Sequence, residues 1–300
     1  MLDIIVALVM PKNETMTQDL YINAVSEFYD MHPINEQQII EKLRLSDVDL
    51  SNVTEDVLQD HDQDHFGGIA ANDALASLAN IDQSCHVLDL CSGMGGPSRY
   101  LAHNYRCKVT GVDLTESRIK SARRLTELTG LNDLVNFEVA NAQDLPFADE
   151  TFDVVISQEA FCHIPDKARL LAQCARVLKR GGHLAFTDIL ATDSTDQETR
   201  NRLQREMTFQ ELGSTTAYRE YLERNECGVK EVQDVSDEWR DILVQRLAMY
   251  RSLKDQTVER FGEAHFIKWD AAYSFFVGLY QTGNLGGARF LARRNDGIRD

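Results

Sequence analysis

The sequence is short of positive charge. Its 300 residues hold 31 Lys and Arg against 48 Asp and Glu, a formal net charge of -17 with a pI near 4.9. That balance argues against nucleic acid or an anionic membrane as a partner. Long apolar runs are missing too. Ile4 to Met10 is apolar but far too short to span a bilayer. It lacks a basic stretch before it and a clear cleavage site, so it makes a poor signal peptide. M-T-Q-D-L-Y from Met16 opens a helix, and a natural start at Met10 or Met16 stays open. The six cysteines (Cys85, Cys91, Cys107, Cys162, Cys174 and Cys227) include no C-x-x-C pair and sit mostly in apolar surroundings. They read as reduced thiols of a cytoplasmic protein. No internal repeat, low-complexity tract or long linker interrupts the chain. What is left is a globular composition, 43% hydrophobic and 26% charged, long enough for one large or two modest domains.

The chain is organised around V-L-D-L-C-S-G-M-G-G, Val87 to Gly96. A strand runs into a glycine turn, and a helix starts near Ser98. Such a turn brings backbone N–H groups and a helix N-terminus close to a ligand, where a side chain would hold it off. Asp89 sits near the strand end, where open α/β sheets bind their ligands. A second strand, K-V-T-G-V-D-L, ends in Asp113, about 20 residues past the glycines, the spacing for gripping ribose hydroxyls. The plainer role for Asp113 is to cap the helix from Glu116.

Strands are expected at 86–90, 108–112, 135–139, 152–157 and 183–189, with helices near 97–103, 116–129 and 166–178. This alternation argues a parallel sheet covered on both faces. Arg180-Gly181-Gly182 makes the turn into the fifth strand. Residues 192 to 225 read as helix in two pieces around Gly213, followed by a strand at Val229 to Val235. Long helices follow over Trp239 to about Phe261 and His265 to Tyr280, and Gly286-Gly287 opens a last strand, Ala288 to Arg293. Before residue 80 the pattern is helical, with Pro33 ending one helix and Asn35 capping the next. The expected organisation is an N-terminal helical lid (1–80), an α/β core (81–190), a helical cap with one core strand (191–285) and a final strand with its tail (286–300). In D-H-D-Q-D-H-F-G-G, Asp60 to Gly68, the residues His61, Asp62, Asp64 and His65 have ligand chemistry, but nothing downstream completes a metal site. A lid over a cofactor is the better reading, and no metal is expected.

Two further stretches sit at the sheet's carboxyl edge: V-A-N-A-Q-D-L-P-F (139–147) and F-D-V-V-I-S-Q-E-A-F-C-H-I-P-D (152–166). With D-L-C-S-G-M-G-G, G-V-D-L and L-K-R-G-G-H-L-A-F-T-D-I, their order resembles class I S-adenosylmethionine (SAM)-dependent methyltransferases. The likeness is clear over 80–190 and weaker over 210–240 and 286–294. It implies a Rossmann-like, mostly parallel seven-stranded sheet flanked by helices, with a helical cap and SAM as cofactor. It implies that Asp89, Gly93, Gly95 and Gln158 surround the methionine part, that Asp113 takes the ribose, and that Leu114, Ala142 and Gln143 border the adenine. The family often has Gly where this chain has Cys91, and Asp where it has Asn141. The strings most resemble small-molecule N-methyltransferases, those of sarcosine and dimethylglycine above all.

The resemblance implies a small-molecule acceptor, most simply an amine, and leaves a homodimer open. An amine must be neutral to attack, so a base or a burial-lowered pKa is needed. His163, after the fourth strand, is the candidate catalytic base or positioner; its plainer role is to bond a loop carbonyl. A cationic product favours an aromatic wall, and Trp239, Tyr250, Trp269, Tyr273, Phe275, Phe276 and Tyr280 in the cap, with Tyr29 and Phe66 in the lid, are available. A carboxylate acceptor needs a cation, for which Arg169, Arg205, Arg246 and Arg251 are candidates. Rival readings are O- or C-methylation, a nicotinamide-dependent oxidoreductase, which does not explain Asp89 or the 139–147 loop, and a SAM-binding protein without catalysis.

Overall fold

The computed structural model describes residues 18–32 and 34–297. The candidate starts at Met10 and Met16, the apolar stretch 4–10 and Pro33 lie outside them. Helices come first: α1 (Gln18–Asp30), α2 (Glu36–Leu45), the short α3 (Glu55–Leu58) and α4 (Gly68–Leu78). Strands and helices then alternate through β1 (His86–Leu90), α5 (Gly96–Tyr105), β2 (Lys108–Asp113), α6 (Glu116–Leu128), β3 (Val135–Val139) and β4 (Phe152–Gln158). A single 3-10 turn (Phe161–His163) precedes α7 (Lys167–Val177) and β5 (Leu178–Ala191). The chain continues through α8 (Gln197–Met207), α9 (Thr215–Arg224), β6 (Cys227–Asp234), α10 (Ser236–Ser252), α11 (Lys254–Phe261), α12 (Glu263–Gln281) and β7 (Leu285–Arg294). Among the described residues no helix is long and apolar enough to cross a membrane.

The strands form one seven-stranded sheet in the order β3-β2-β1-β4-β5-β7-β6. The first five pair in parallel, and β7 runs antiparallel to both β5 and β6. The near-continuous apolar strands are explained by burial on both faces. Leu88, Val155, Leu184 and Phe186 feed one core cluster, while their neighbours Val87, Val154, Ile156 and Ala185 feed the other. Strand order reverses between β1 and β4, and a crevice at that switch point is where such sheets bind ligands.

Two local expectations change, and a third, the break near Gly213, holds. The fifth strand starts at Leu178, not 183. Its pairing with β4 jumps from Phe152↔Leu178 to Val154↔His183, so Arg180-Gly181-Gly182 is a bulge within the strand. Glycine is needed there, since Gly181 has φ +76 and a Cβ on Gly182 would lie 2.7 Å from the Asp153 carbonyl oxygen. The helical stretch 192–225 is open over 208–214, where Thr208 turns left-handed (φ 56) and Gly213 admits the Tyr218 ring. The long helix from Trp239 is divided at Leu253 into α10 and α11; nothing in the local sequence marks that break. Of the cap aromatics, Trp239, Phe276 and Tyr280 are core, packed where α8, α10 and α12 meet.

Candidate active site

The glycine turn between β1 and α5 is held by its neighbour β2. Ser92 N–H donates to the Val112 carbonyl at 2.9 Å, and Gly93 N–H donates to Asp113 Oδ2 at 2.9 Å. Asp113 Oδ1 accepts from Thr115 N–H at 2.8 Å, so this carboxylate fixes the turn and the approach to α6 together. Burial raises the Asp113 pKa despite these donors. Asp89, below the turn, accepts from Ser98 Oγ at 2.5 Å, and burial pushes it up to about 6.

Gly93 and Gly95 do different work. Gly93 has φ +55, and a Cβ there would meet nothing within 4 Å. Gly95 has φ +79, and a Cβ there would lie 2.4 Å from Phe137 Cζ. Gly93 keeps space open; Gly95 lets α5 close onto β3. Cys91 has φ 62. This backbone position favours glycine, and the thiol side chain occupies it under strain.

At the switch point lies a cavity of about 1310 Å³. Asp89, Gly93, Asp113, Leu114, Ala142, Gln158 and His163 all line it. Gly95 and Gln143 do not. Gln143 is buried, with Oε1 accepting from Asp166 N–H at 3.3 Å and its carbonyl accepting from Arg169 Nε at 2.6 Å. It faces the start of α7 instead of the cavity.

His163 sits in the 3-10 turn after β4, buried to 8% exposure. Its Nδ1 lies 3.2 Å from the Thr208 carbonyl oxygen, which only accepts, so Nδ1 carries the proton. Nε2 therefore accepts from the Tyr29 hydroxyl at 3.0 Å. Burial pushes its pKa down to about 4. The loop-carbonyl bond and a wall position in the cavity are both present.

Glu159 is the residue that sequence reasoning passed over. It follows Gln158 with φ 47, lines the cavity, and is clamped by Phe66 N–H at 2.7 Å and Thr187 Oγ1 at 2.7 Å. Burial pushes it up to about 7. A non-glycine residue at positive φ beside a cavity is the kind of strain that marks functional sites, but sequence does not display φ. An aromatic wall stands opposite: Trp269 of α12 meets Phe28 of α1 at 5.5 Å and His32 at 5.4 Å between centroids. Tyr29, Phe66, Tyr250, Tyr273 and Phe276 also line the cavity, as does Arg246.

Residues 59–66 lie over the glycine turn without helical structure. His65 Nε2 pairs with Gln63 Oε1 at 2.9 Å, Asn72 Nδ2 donates to the same oxygen, and Gln158 Nε2 donates to Asn72 Oδ1 at 2.8 Å. Arg246 donates to the Asp64 and His65 carbonyls. Among the described residues no cluster of three or more metal-ligating side chains forms.

The donor set suits a nucleoside with a charged tail. Asp113 offers carboxylate lone pairs beside an open glycine, Leu114 and Ala142 give apolar contact, and Asp89 lies buried below. Ser92 Oγ, Asn141 Nδ2 and Gln158 Oε1 of the cavity wall have no hydrogen-bond partner within the protein. Residues 88–186 match the methyltransferase domain family. The chain's sheet order and flanking helices are those of the Rossmann-like class I methyltransferase fold. A putative sarcosine dimethylglycine methyltransferase from Galdieria sulphuraria superposes with a TM-score of 0.71 at 19% identity, covering 88% of this chain and 99% of that one. The chain is 36% identical over 163 residues to a glycine/sarcosine/dimethylglycine N-methyltransferase of Actinopolyspora halophila, 54% of this chain and 29% of that protein. It is 34% identical over 147 residues to a sarcosine/dimethylglycine N-methyltransferase of Halorhodospira halochloris, 49% of this chain and 52% of that protein. The matched part thus spans about half or less of the length of these curated relatives. The methyltransferase domain match begins in β1 and ends before α8, so the aromatic wall and the segment 59–66 lie outside it.

Proposed function

We propose that the protein transfers a methyl group from SAM to a small-molecule amine. The observation that carries this reading is one cavity with a nucleotide-type end, Gly93 and Asp113, and a proton-handling end, Glu159, His163 and Tyr29. Bound there, SAM supplies a methyl group on an already activated sulfonium. Asp113 holds the ribose hydroxyls, Leu114 and Ala142 border the adenine, and Asp89, Gly93 and Gln158 hold the methionine part. Gly95 and Gln143 act at one remove, by clearing Phe137 and by fixing the start of α7.

An amine arrives largely protonated and must lose that proton before it attacks. Glu159, raised to about 7, is the acceptor for it. The neutral His163 fixes the Tyr29 hydroxyl by accepting its hydrogen bond at Nε2, leaving the tyrosine oxygen lone pairs to orient the amine. Alignment of this kind supplies up to about 7–11 kcal/mol of barrier reduction. Phe28, Tyr29 and Trp269 face a cationic product, and Arg246 offers guanidinium donors to an acceptor carboxylate. Sarcosine and dimethylglycine have this chemistry, and the named relatives support them as first acceptors. The net charge of -17 supports neither nucleic acid nor anionic membrane as a partner.

The test is a transfer assay with methyl-labelled SAM read by mass spectrometry, over a pool of glycine, sarcosine, dimethylglycine and other biogenic amines, with phenols and sugars apart. Label on sarcosine or dimethylglycine is the expected result. Label only on phenols or sugars removes the amine, and a protein that does not bind SAM removes the whole reading.

A further inference from the structure

Arg99 is fully buried at the start of α5, directly beneath the glycine turn. One guanidinium nitrogen, Nη1, donates to the Met94 carbonyl of the turn at 2.8 Å and to Thr126 Oγ1 of α6 at 3.2 Å. The other, Nη2, donates to Asp62 Oδ2 at 2.5 Å. Asp62 is itself 2% exposed, and its second oxygen accepts from Gln63 Nε2 at 2.8 Å. Glu55, at the start of α3, completes the cluster at 3.5 Å from Arg99 Nε. The backbone follows the same path: a Cβ on Gly96 would lie 2.5 Å from the Asp62 carbonyl oxygen. One buried cation therefore holds the turn that faces the cofactor and the segment that covers it.

We infer that Arg99 and Asp62 form a clamp that couples closure of residues 55–66 to cofactor binding, with Arg99 as a positioning residue for the glycine turn. This rests on the SAM reading above. Lifting the segment strips Asp62 and Glu55 from the buried guanidinium, which is costly for a buried charge. The Met94 carbonyl then loses its fixed donor geometry, and Gly93 N–H next to it loses its aim. A cofactor that needs the turn in this shape is bound more tightly by the closed form, and by reciprocity it closes the segment. The same segment reaches the other end of the cavity through Phe66 N–H on Glu159 and the Gln63–Asn72–Gln158 chain. Closure over the cofactor thus also sets the carboxylate that receives the proton.

The test uses the full chain with S-adenosylhomocysteine as probe, reading affinity by calorimetry and closure by hydrogen exchange of residues 55–66. The variants are D62N, which keeps shape and removes charge, and D73N as a stability control. Asp73 accepts from the Tyr100 and Tyr105 hydroxyls between α4 and α5, away from the segment. In D62N the affinity falls about tenfold or more, within the usual range of such couplings, and the probe no longer protects 55–66. D73N loses thermal stability but keeps both affinity and protection. The clamp is overturned if D62N binds and protects like the wild type. It is equally overturned if D62N loses affinity with protection intact, or if D73N loses affinity to the same degree. Wild-type protein that does not bind the probe overturns the SAM reading, and the clamp with it.

Discussion

Replacing Glu159 with glutamine separates what this carboxylate costs the fold from what it contributes to the reaction. Its two oxygens accept from Phe66 N–H and Thr187 Oγ1, and a glutamine amide keeps one acceptor and gains one donor in the same space. Burial moves the carboxyl from its ordinary 4.5 to about 7. The native state therefore keeps a proton between those values that the unfolded chain has released, and stability falls as pH rises across that window. A gap of this size is worth about 3 kcal/mol when complete. Because the carboxyl borders the cavity, solvent reduces this to about 2 kcal/mol. Glu159→Gln carries no such charge, so urea unfolding of variant and wild type should diverge from pH 4.5 upward. The variant gains about 2 kcal/mol relative to wild type by pH 8. Over the same range its kcat/KM for an amine should lie about a hundredfold below wild type, and it should lose the rise in wild-type rate through pH 7. A stability difference that does not change with pH would refute the buried-carboxylate argument. An unchanged rate profile would refute its role as proton acceptor.

The two turn glycines should respond oppositely to alanine. Gly95→Ala places a Cβ against Phe137 and should cost about 3 kcal/mol of stability by thermal or urea unfolding. Gly93→Ala meets no protein atom, so it should cost only about 1 kcal/mol of stability while weakening SAM about tenfold by calorimetry. Cys91→Gly should change stability by less than about 1 kcal/mol, as relief of the left-handed backbone offsets the lost thiol packing, whereas Cys91→Val should cost about 2 kcal/mol. Tyr29→Phe removes the bond to His163 Nε2 and should lower kcat about tenfold or more with little change in KM.

Much of this was legible in the sequence because it follows from local rules. The strand from Val87, the glycine turn and the acid at Asp113 obey spacings that a parallel sheet imposes, and the structure puts Asp113 on the turn itself. Gly95 and Gln143 show where spacing stops being informative. Both lie within the motif, yet one serves Phe137 and the other serves α7, because side-chain direction is settled by what packs opposite. Glu159 and Arg99 escaped notice for a related reason. The first depends on a positive φ, the second on an ion pair with Asp62, 37 positions away in sequence. Tyr29 and His163 stand 134 positions apart, and only α1 folding over the carboxyl edge brings them together.

The antiparallel strand β7 has a consequence for how the molecule forms. It lies between β5 and β6 in the sheet although it follows both in sequence. Until residues 285–294 arrive, β5 and β6 lack the strand that joins them, and each presents an open edge of N–H and C=O groups. The parallel half can assemble from near neighbours, whereas this seam waits on segments about 100 residues from β5. The interval before the seam closes is therefore when the chain is most exposed to pairing with another copy of itself. Gly286 and Gly287 at the entry to that strand leave room for Ser236 and the Trp239 ring, so the last strand also seats the cap.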